Sequence, residues 1–525
     1  MKKISLYIVA LMAMAFTSCS DWLQEDPESF KDGTITTETD VQSRVNYLYR
    51  NGAPSQIAST GAYAGGNFSF NIFLTGYYQS SYEGQEVTAR YARELTRQNN
   101  TNTVCNAVCN DTWESCYRAI NTANTALDAI KGMESSSNLK TLEGEAKFFR
   151  AFNYFHLVKF FGGVPIYTEP TTGLGEENYK ARASVDEVKA QIVSDLNDAI
   201  SLLPSATFDG NGHRVTKQIA QTMLGDLYFF YGDYANAKTI FKSVIDSGLF
   251  ALVQNTDLDK NSYVNILRTT DDTKEAVYAM EYDTSISRMD RRTGNAFSGS
   301  MVAHATALGI YELILAPTEK LIAVYPANDL RVQNQQFFMT SADVQVKSDG
   351  TRWTWEWDGE TRGDWYYCQE SCLVDGIGSK DWNFYRYAEV LLDYAECCAQ
   401  TGNVAEGAPY LAQIQARAKM DGTTAAELQT SLSSLSAEKF KEACWTERIK
   451  EFPLEYKLWD QCVRTQKYPQ INGADDVTYV DLVGAKTAQG ATVKSSDMLW
   501  PIPLQEIQRN PNLTQNDGYA ASVSD

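Results

Sequence analysis

Few residues in this chain are spaced for chemistry. Cys105/Cys109 and Cys368/Cys372 share a Cys-x3-Cys spacing, which suits half of a zinc site or a loop disulfide. Only three histidines are present, His156, His213 and His304, none close to either pair in sequence, so no structural metal is expected. Asp257-Leu258-Asp259 and Asp271-Asp272 could hold a structural calcium, although no twelve-residue D-x-[DN]-x-[DN]-G loop surrounds them. Beyond that, no cofactor is expected. A helical glycoside hydrolase would need two carboxylates about 5–9.5 Å apart across a cleft. Carboxylates are plentiful, Asp and Glu together numbering 66, but most fall on polar helical faces and none stands out as an acid–base pair. No G-x-S-x-G elbow, H-E-x-x-H pair or phosphate-binding glycine loop is present. The expectation is a chain that is not an enzyme.

The chemistry that remains is lipid attachment and aromatic contact. Lys2 and Lys3 precede a short apolar run, Ile4 to Phe16, which ends in Phe16-Thr17-Ser18-Cys19. A bilayer of roughly 30 Å needs about 20 apolar residues to be crossed, so this run is a signal peptide rather than a span. Small residues directly before a cysteine look like a lipobox. Such a signal is cut before the cysteine, here leaving 1–18 as leader and placing lipid on Cys19. Acidic residues soon follow in Asp21-Trp22-Leu23-Gln24-Glu25-Asp26, within a tether over 19–40.

Aromatic residues are abundant, with Tyr 30, Phe 22 and Trp 10. Two irregular stretches concentrate them. Residues 61–110 hold Tyr77, Tyr78 and Tyr82 among Gly, Ser and Asn, and residues 255–380 hold Trp353, Trp355 and Trp365. Trp353-Thr-Trp-Glu-Trp357 alternates with period two and reads as a strand, as does Glu275–Glu281. The formal charge of −20 becomes about −22 once Lys2 and Lys3 leave. That balance disfavours nucleic acid and anionic ligands and suits neutral ones.

The elements that must position these segments are helices. Periodicity starts near Thr37-Glu38, with Val41, Val45, Leu48 and Tyr49 on one face. A helix carrying Trp113, Cys116, Tyr117, Ile120, Ala123 and Leu127 is followed by a turn at 132–138. Its partner runs from about Leu142 to Phe161 and stops at Gly162-Gly163, with Pro165 beyond. Leu224-Gly225, Tyr228, Gly232, Ala237 and Phe241 fall at tetratricopeptide positions, where small residues let two helices approach. A second copy has Leu391, Ala395, Cys398, Gly402 and Leu411 in register, with Ala408 one residue off the small position. Cys397, Cys398, Cys444 and Cys462 lie in helical patterns and read as small buried thiols. The fold class is mostly α: tetratricopeptide-like helix pairs forming a scaffold, with a loop-rich insertion of short strands. One domain over 41–525 is expected, its helical frame at about 41–60, 111–252 and 381–465 and a C-terminal strap at about 466–525.

Four landmarks make the chain resemble the SusD/RagB family of surface lipoproteins. They are Glu145-Ala-Lys-Phe-Phe-Arg150-Ala-Phe-Asn-Tyr154 through Gly162-Gly-Val-Pro165, then Tyr385-Arg-Tyr-Ala-Glu389-Val-Leu-Leu392. Glu447-Arg-Ile-Lys-Glu451…Trp459-Asp460 and Trp500-Pro-Ile-Pro503…Asn510-Pro-Asn-Leu…Gly518-Tyr519 follow in order. Tyr456 and Gln461 depart from the Gly and Leu common in the third block. As residues, the landmarks read as scaffold: Glu145 and Arg150 should pair with neighbours at helix ends, and Pro501 and Pro503 should fix an extended strap.

The resemblance implies capture of an oligosaccharide, or of a peptide, as a lid over a SusC-like TonB-dependent outer-membrane barrel. It also implies anchorage in the outer membrane through lipid, facing outward. Family members place ligand contacts in irregular segments, so Tyr77, Tyr78, Tyr82, Trp353, Trp355 and Trp365 are the candidate contacts. A tetratricopeptide scaffold that binds only proteins is the remaining alternative.

Overall fold

The structure is a computed structural model that describes residues 35–58, 71, 73–79, 103–171, 175, 178–255, 262–269, 271–282, 316–345, 348–356, 363–365, 381–453, 455 and 457–522. Cys19, Tyr82, Asp257, Asp259, His304, Cys368 and Cys372 lie outside them.

Helix α1 (Glu38–Leu48) begins where the periodicity places it. Thr37 accepts the Asp40 N–H while the Asp40 carboxylate takes the Thr37 N–H, a capping box. After α2 (Ala53–Ala58) comes the hairpin of α3 (Thr103–Lys131) and α4 (Ser137–Phe161). Helix α3 starts at Thr103, so residues 103–110 belong to the helical frame and not to the irregular stretch. Ser136 caps α4 by accepting the Leu139 N–H at 3.0 Å. Gly162, at φ +73°, closes the helix in a conformation that a side chain would strain.

Helix α4 is enclosed by α3 and α5 (Val185–Leu202) and is buried on nearly every side of its second half. Its charges therefore reach across to other elements, not to helix ends as expected. Arg150 forks onto Asp195 in the middle of α5, at 2.8 and 2.6 Å. Glu145, wholly buried, accepts from Arg214 Nε at 2.8 Å in the loop before the next helix.

Both repeats exist as helix pairs. In the first, α6 (Lys217–Phe230) packs on α7 (Tyr234–Asp246), and a Cβ on Gly225 would lie 2.6 Å from Phe241 Cε1. The second pairs α8 (Tyr387–Gln400) with α9 (Val404–Ala418). The small position at this seam is held by Gly407, one residue before Ala408: a Cβ there would lie 2.7 Å from the Ala395 carbonyl oxygen. The two pairs also contact each other through α7 and α8. Helices α10 (Ala425–Ser433), α11 (Ala437–Glu451) and α12 (Lys457–Thr465) complete the frame.

The strands are short and pair antiparallel in twos. β1 (Tyr78–Gln79), β2 (Ala276–Met280), β3 (Ala316–Pro317), β4 (Phe338–Met339), β5 (Ser341–Gln345), β6 (Arg352–Glu356), β7 (Gly363–Asp364) and β8 (Trp382–Arg386) join as β1–β3, β2–β8, β4–β7 and β5–β6. Both strands read from the sequence, β2 and β6, are present. The C-terminal segment opens with a hairpin of β9 (Lys467–Gly473) and β10 (Asp476–Asp481). It then returns to α4: Trp500 is buried, stacks on Phe160 at 4.7 Å and donates its backbone N–H to the Phe160 carbonyl.

Where β2, β8, α9 and α11 converge, three arginines are buried together. Arg386 bonds Glu275 at 2.8 Å, Glu451 at 3.0 Å and Glu455 at 2.8 Å. Arg417 bridges Glu275 and Glu451, both at 2.6 Å. Arg331 joins Glu447, Glu451 and Asp329, at 2.6, 3.0 and 2.7 Å. A buried carboxylate must be answered by charge or lose its ionisation, and these side chains are at most 2 % exposed.

Burial alone would raise the pKa of Glu447, but Arg331 and Lys450 outweigh it and hold it down to about 2. A depressed carboxylate adds stability above its ordinary value of 4.5 and loses it as pH falls toward 2. Denaturation midpoints measured from pH 7 down to pH 2 should therefore drop below about pH 4.5. In Glu447→Gln, already weaker at pH 7, that part of the slope should be flatter; an unchanged slope would show that this pairing does not set the acid response.

Candidate functional site

Helix α4 turns one face toward a cavity. Phe152, Phe155, His156, Lys159 and Phe160 recur at i, i+3, i+4, i+7 and i+8, one stripe of a helix. That stripe, Trp382–Tyr385 of β8, Asp226 of α6, Ile57, Asn71, and Glu455, Lys457 and Asp460 around the start of α12 line about 710 Å³ of empty space, part of it open solvent. Its floor is aromatic: Phe152 meets Phe384 edge-on at 5.7 Å, and His156 meets Phe160 at 4.5 Å. Burial, then the Lys159 charge, pushes His156 well below its ordinary pKa, so its ring is neutral.

The rim is charged but internally answered. Lys159 pairs with Asp460 and also sits 5.5 Å from the centre of the Phe155 ring. Lys457 pairs with Glu389 at 3.1 Å, donates to the Phe384 carbonyl at 3.1 Å and lies over the Tyr385 ring. Glu455 is held by Arg386. Asp226 accepts the Tyr385 hydroxyl at 2.9 Å. Burial raises the Asp226 pKa, and the Lys159 and Lys457 charges do not fully offset it. Among the described residues that line it, Asn71 is unanswered: it is 4 % exposed, and its Oδ1 has no hydrogen-bond partner there.

The aromatics proposed from sequence fare unequally. Tyr77 and Tyr78 are core residues rather than an open platform. The Tyr77 hydroxyl donates to the Pro469 carbonyl at 2.6 Å while its ring stacks on Tyr468, and the Tyr78 hydroxyl donates to the Pro453 carbonyl. The pairing of β1 with β3 draws both rings inward. Trp365 is likewise buried, at 2 % exposure, and its backbone N–H donates to the Phe337 carbonyl at 2.9 Å. None of the three offers a face to a ligand. Trp353 and Trp355 stand on β6 opposite Val344 and Ala342 of β5, and Tyr82 lies outside the described residues. Sequence reasoning missed Asn71, His156 and Lys159. The signal available was a polar pair, His156 and Lys159, in the otherwise apolar or aromatic last two turns of α4, 154–161.

Metal-ligand geometry is limited among the described residues. His213 Nε2 lies 2.9 Å from Asp272 Oδ1 and 3.8 Å from Asp209 Oδ1, while its Nδ1 faces Glu281 at 3.2 Å. This group of Asp209, His213 and Asp272 is the one there that could hold an ion. The other candidate acid, Asp271, accepts the Asp381 N–H at 3.0 Å. Burial would lower the His213 pKa, but the Asp272 hydrogen bond and the Glu281 charge raise it overall. Cys116, Cys397, Cys398, Cys444 and Cys462 are buried free thiols, as read for the last four.

Comparison with known proteins decides the family. The SusD-like family described as starch-binding and associating with the outer membrane matches residues 21–229, and the SusD family matches residues 341–519. This chain belongs to the SusD family. A SusD-like protein P2 of Formosa agariphila is 24% identical over 548 residues, covering 99% of this chain and 100% of its own. Among solved SusD-family structures, one from Parabacteroides distasonis superposes with a TM-score of 0.77 at 24% identity, covering 92% of this chain and 100% of its own. A surface glycan-binding protein A from Bacteroides uniformis has a TM-score of 0.65 at 20% identity, with 92% and 100% covered. The mostly helical fold is thus that of the SusD superfamily. Among the described residues of this SusD-family chain, no helix is long and apolar enough to cross a membrane.

Proposed function

We propose that this protein is a cell-surface glycan-binding lipoprotein, captures oligosaccharides, and delivers them to a SusC-like TonB-dependent barrel in the outer membrane. The observation that carries the reading is the aromatic pocket beside α4. It forms where both irregular segments join the helical frame, at Asn71 for the first and Trp382 for the second. Aromatic faces bind the C–H faces of sugar rings, and a rim whose charges are already paired suits an uncharged ligand's hydroxyl groups. The family description, starch-binding and associating with the outer membrane, supports the same role. Trp353, Trp355 and Tyr82 remain the proposed outer contacts.

The test is a glycan array followed by calorimetric titration, using the chain without residues 1–19. Binding of at least one oligosaccharide class without product release is expected. Turnover of a bound glycan would make the protein an enzyme, and peptide binding alone would change the cargo.

The anchor is a separate expectation. Two acyl chains on Cys19 hold firmly, since each buried CH₂ contributes about 0.8 kcal/mol. In Cys19→Ala, glycan affinity in solution should be unchanged while the protein leaves the membrane fraction. Full retention in the outer membrane would rule out lipid on Cys19.

A further inference from the structure

We propose that the pocket beside α4 admits an uncharged sugar ring and that Asn71 reads it by accepting a ligand hydroxyl hydrogen bond. This rests on the glycan-binding reading and adds the chemical class of the ligand and a residue that selects it.

An amide oxygen buried without a partner has given up its hydrogen bonds to water with no return, and Asn71 Oδ1, which lines the cavity, has no partner among the described residues. An acceptor of this kind is satisfied by an O–H donor and not by a ligand carboxylate or sulfate, which brings only acceptors.

The charges around it point the same way. Lys159 and Lys457 are already paired with Asp460 and Glu389, and Glu455 with Arg386. An anionic ligand would have to draw Lys159 from Asp460, or Lys457 from Glu389, which would keep only Arg448 at 3.3 Å, and breaking such a pair costs more than a rim contact returns. A cationic ligand would meet carboxylates that are likewise engaged. A neutral ring disturbs none of them. It can lie against Phe155, Phe160 and Phe384 while presenting a hydroxyl to Asn71.

Titration against the strongest neutral oligosaccharide from the array provides the test, using wild type and Asn71→Ala of the chain without residues 1–19. Affinity should fall at least about tenfold in the variant, with the melting temperature unchanged. Monodeoxy analogues of the same sugar give a second measurement that needs no variant. One deoxy position should lose about tenfold on wild type, and that same analogue should lose nothing further on Asn71→Ala. Uronic-acid or sulfated counterparts should bind wild type at least tenfold more weakly. If wild type binds neutral glycans but neither the variant nor any deoxy analogue binds more weakly, Asn71 holds only a water molecule and the proposal fails, while glycan binding stands. A preference for the anionic counterparts overturns the ligand class. Absence of binding to any glycan overturns the underlying reading itself.

Discussion

Arg386→Ala should destabilise the protein by about 3–5 kcal/mol, enough to leave much of it unfolded at ambient temperature. The reason is what the arginine leaves behind. Its guanidinium answers Glu275, Glu451 and Glu455 at 2.8–3.0 Å in a place where no side chain involved is more than 2 % exposed. Arg417 still reaches Glu275 and Glu451, but the Arg386 fork onto Glu455 is lost outright. Lysine should not rescue it, because one ammonium cannot reproduce a planar fork that meets three carboxylates. The proper control is Arg352→Ala, which removes an exposed pair with Asp343 at 2.9 Å and should cost no more than about 1 kcal/mol. Chemical denaturation of the two variants side by side decides the matter. Equal midpoints would mean the buried cluster contributes nothing beyond a surface pair.

The second large effect is expected at Gly407. Alanine usually stabilises a helix interior over glycine by about 0.5–1 kcal/mol. Here its Cβ would sit 2.7 Å from the Ala395 carbonyl oxygen and 3.0 Å from Cys398 Cβ. The first obstacle is backbone of α8 and cannot rotate away, so α8 and α9 must separate along the seam. Overpacking of this kind costs about 1–3 kcal/mol, which outweighs the propensity gain. Gly407→Ala should therefore lower the denaturation midpoint, and Gly407→Val should lower it further. At Gly225 the neighbour is the Phe241 ring, a side chain with some freedom to shift, so Gly225→Ala should cost less. A midpoint raised by Gly407→Ala would show that the two helices are not in contact as described.

The helices were legible because their signals are local. The capping box at Thr37 and Asp40, the Gly162 stop and the small–aromatic pattern of Gly225 and Phe241 all act over a few residues. In the second repeat glycine and alanine stand side by side at 407 and 408, and the approach of Ala395 shows that Gly407 fills the small position from which Ala408 is one residue off. Partners distant along the chain were harder. Nothing near Arg386 in sequence says that Glu275 and Glu451 meet it. The aromatic candidates divided for a related reason. Tyr77, Tyr78 and Trp365 sit in irregular sequence, which suggested exposure, yet short strand pairings and hydroxyl contacts to Pro469 and Pro453 turn the tyrosines into core. Asn71 carries no sequence signal at all. Its interest lies in a missing partner, which is visible only once the surroundings are built.

The pairing of β2 with β8 bears on how such a chain can change over time. Met280 lies opposite Trp382, so the two ends of everything between them stand side by side. Just behind them, Glu275 and Arg386 tie both ends into the arginine cluster. The entropic cost of closing a loop grows only with the logarithm of its length. The intervening stretch can therefore be lengthened or shortened at small cost to the frame, so long as the residues it returns to the core, Arg331 first among them, are kept. In engineering terms β2 and β8 form a socket: extra sequence inserted just after Tyr282 or just before Asp381 would start from an anchored end.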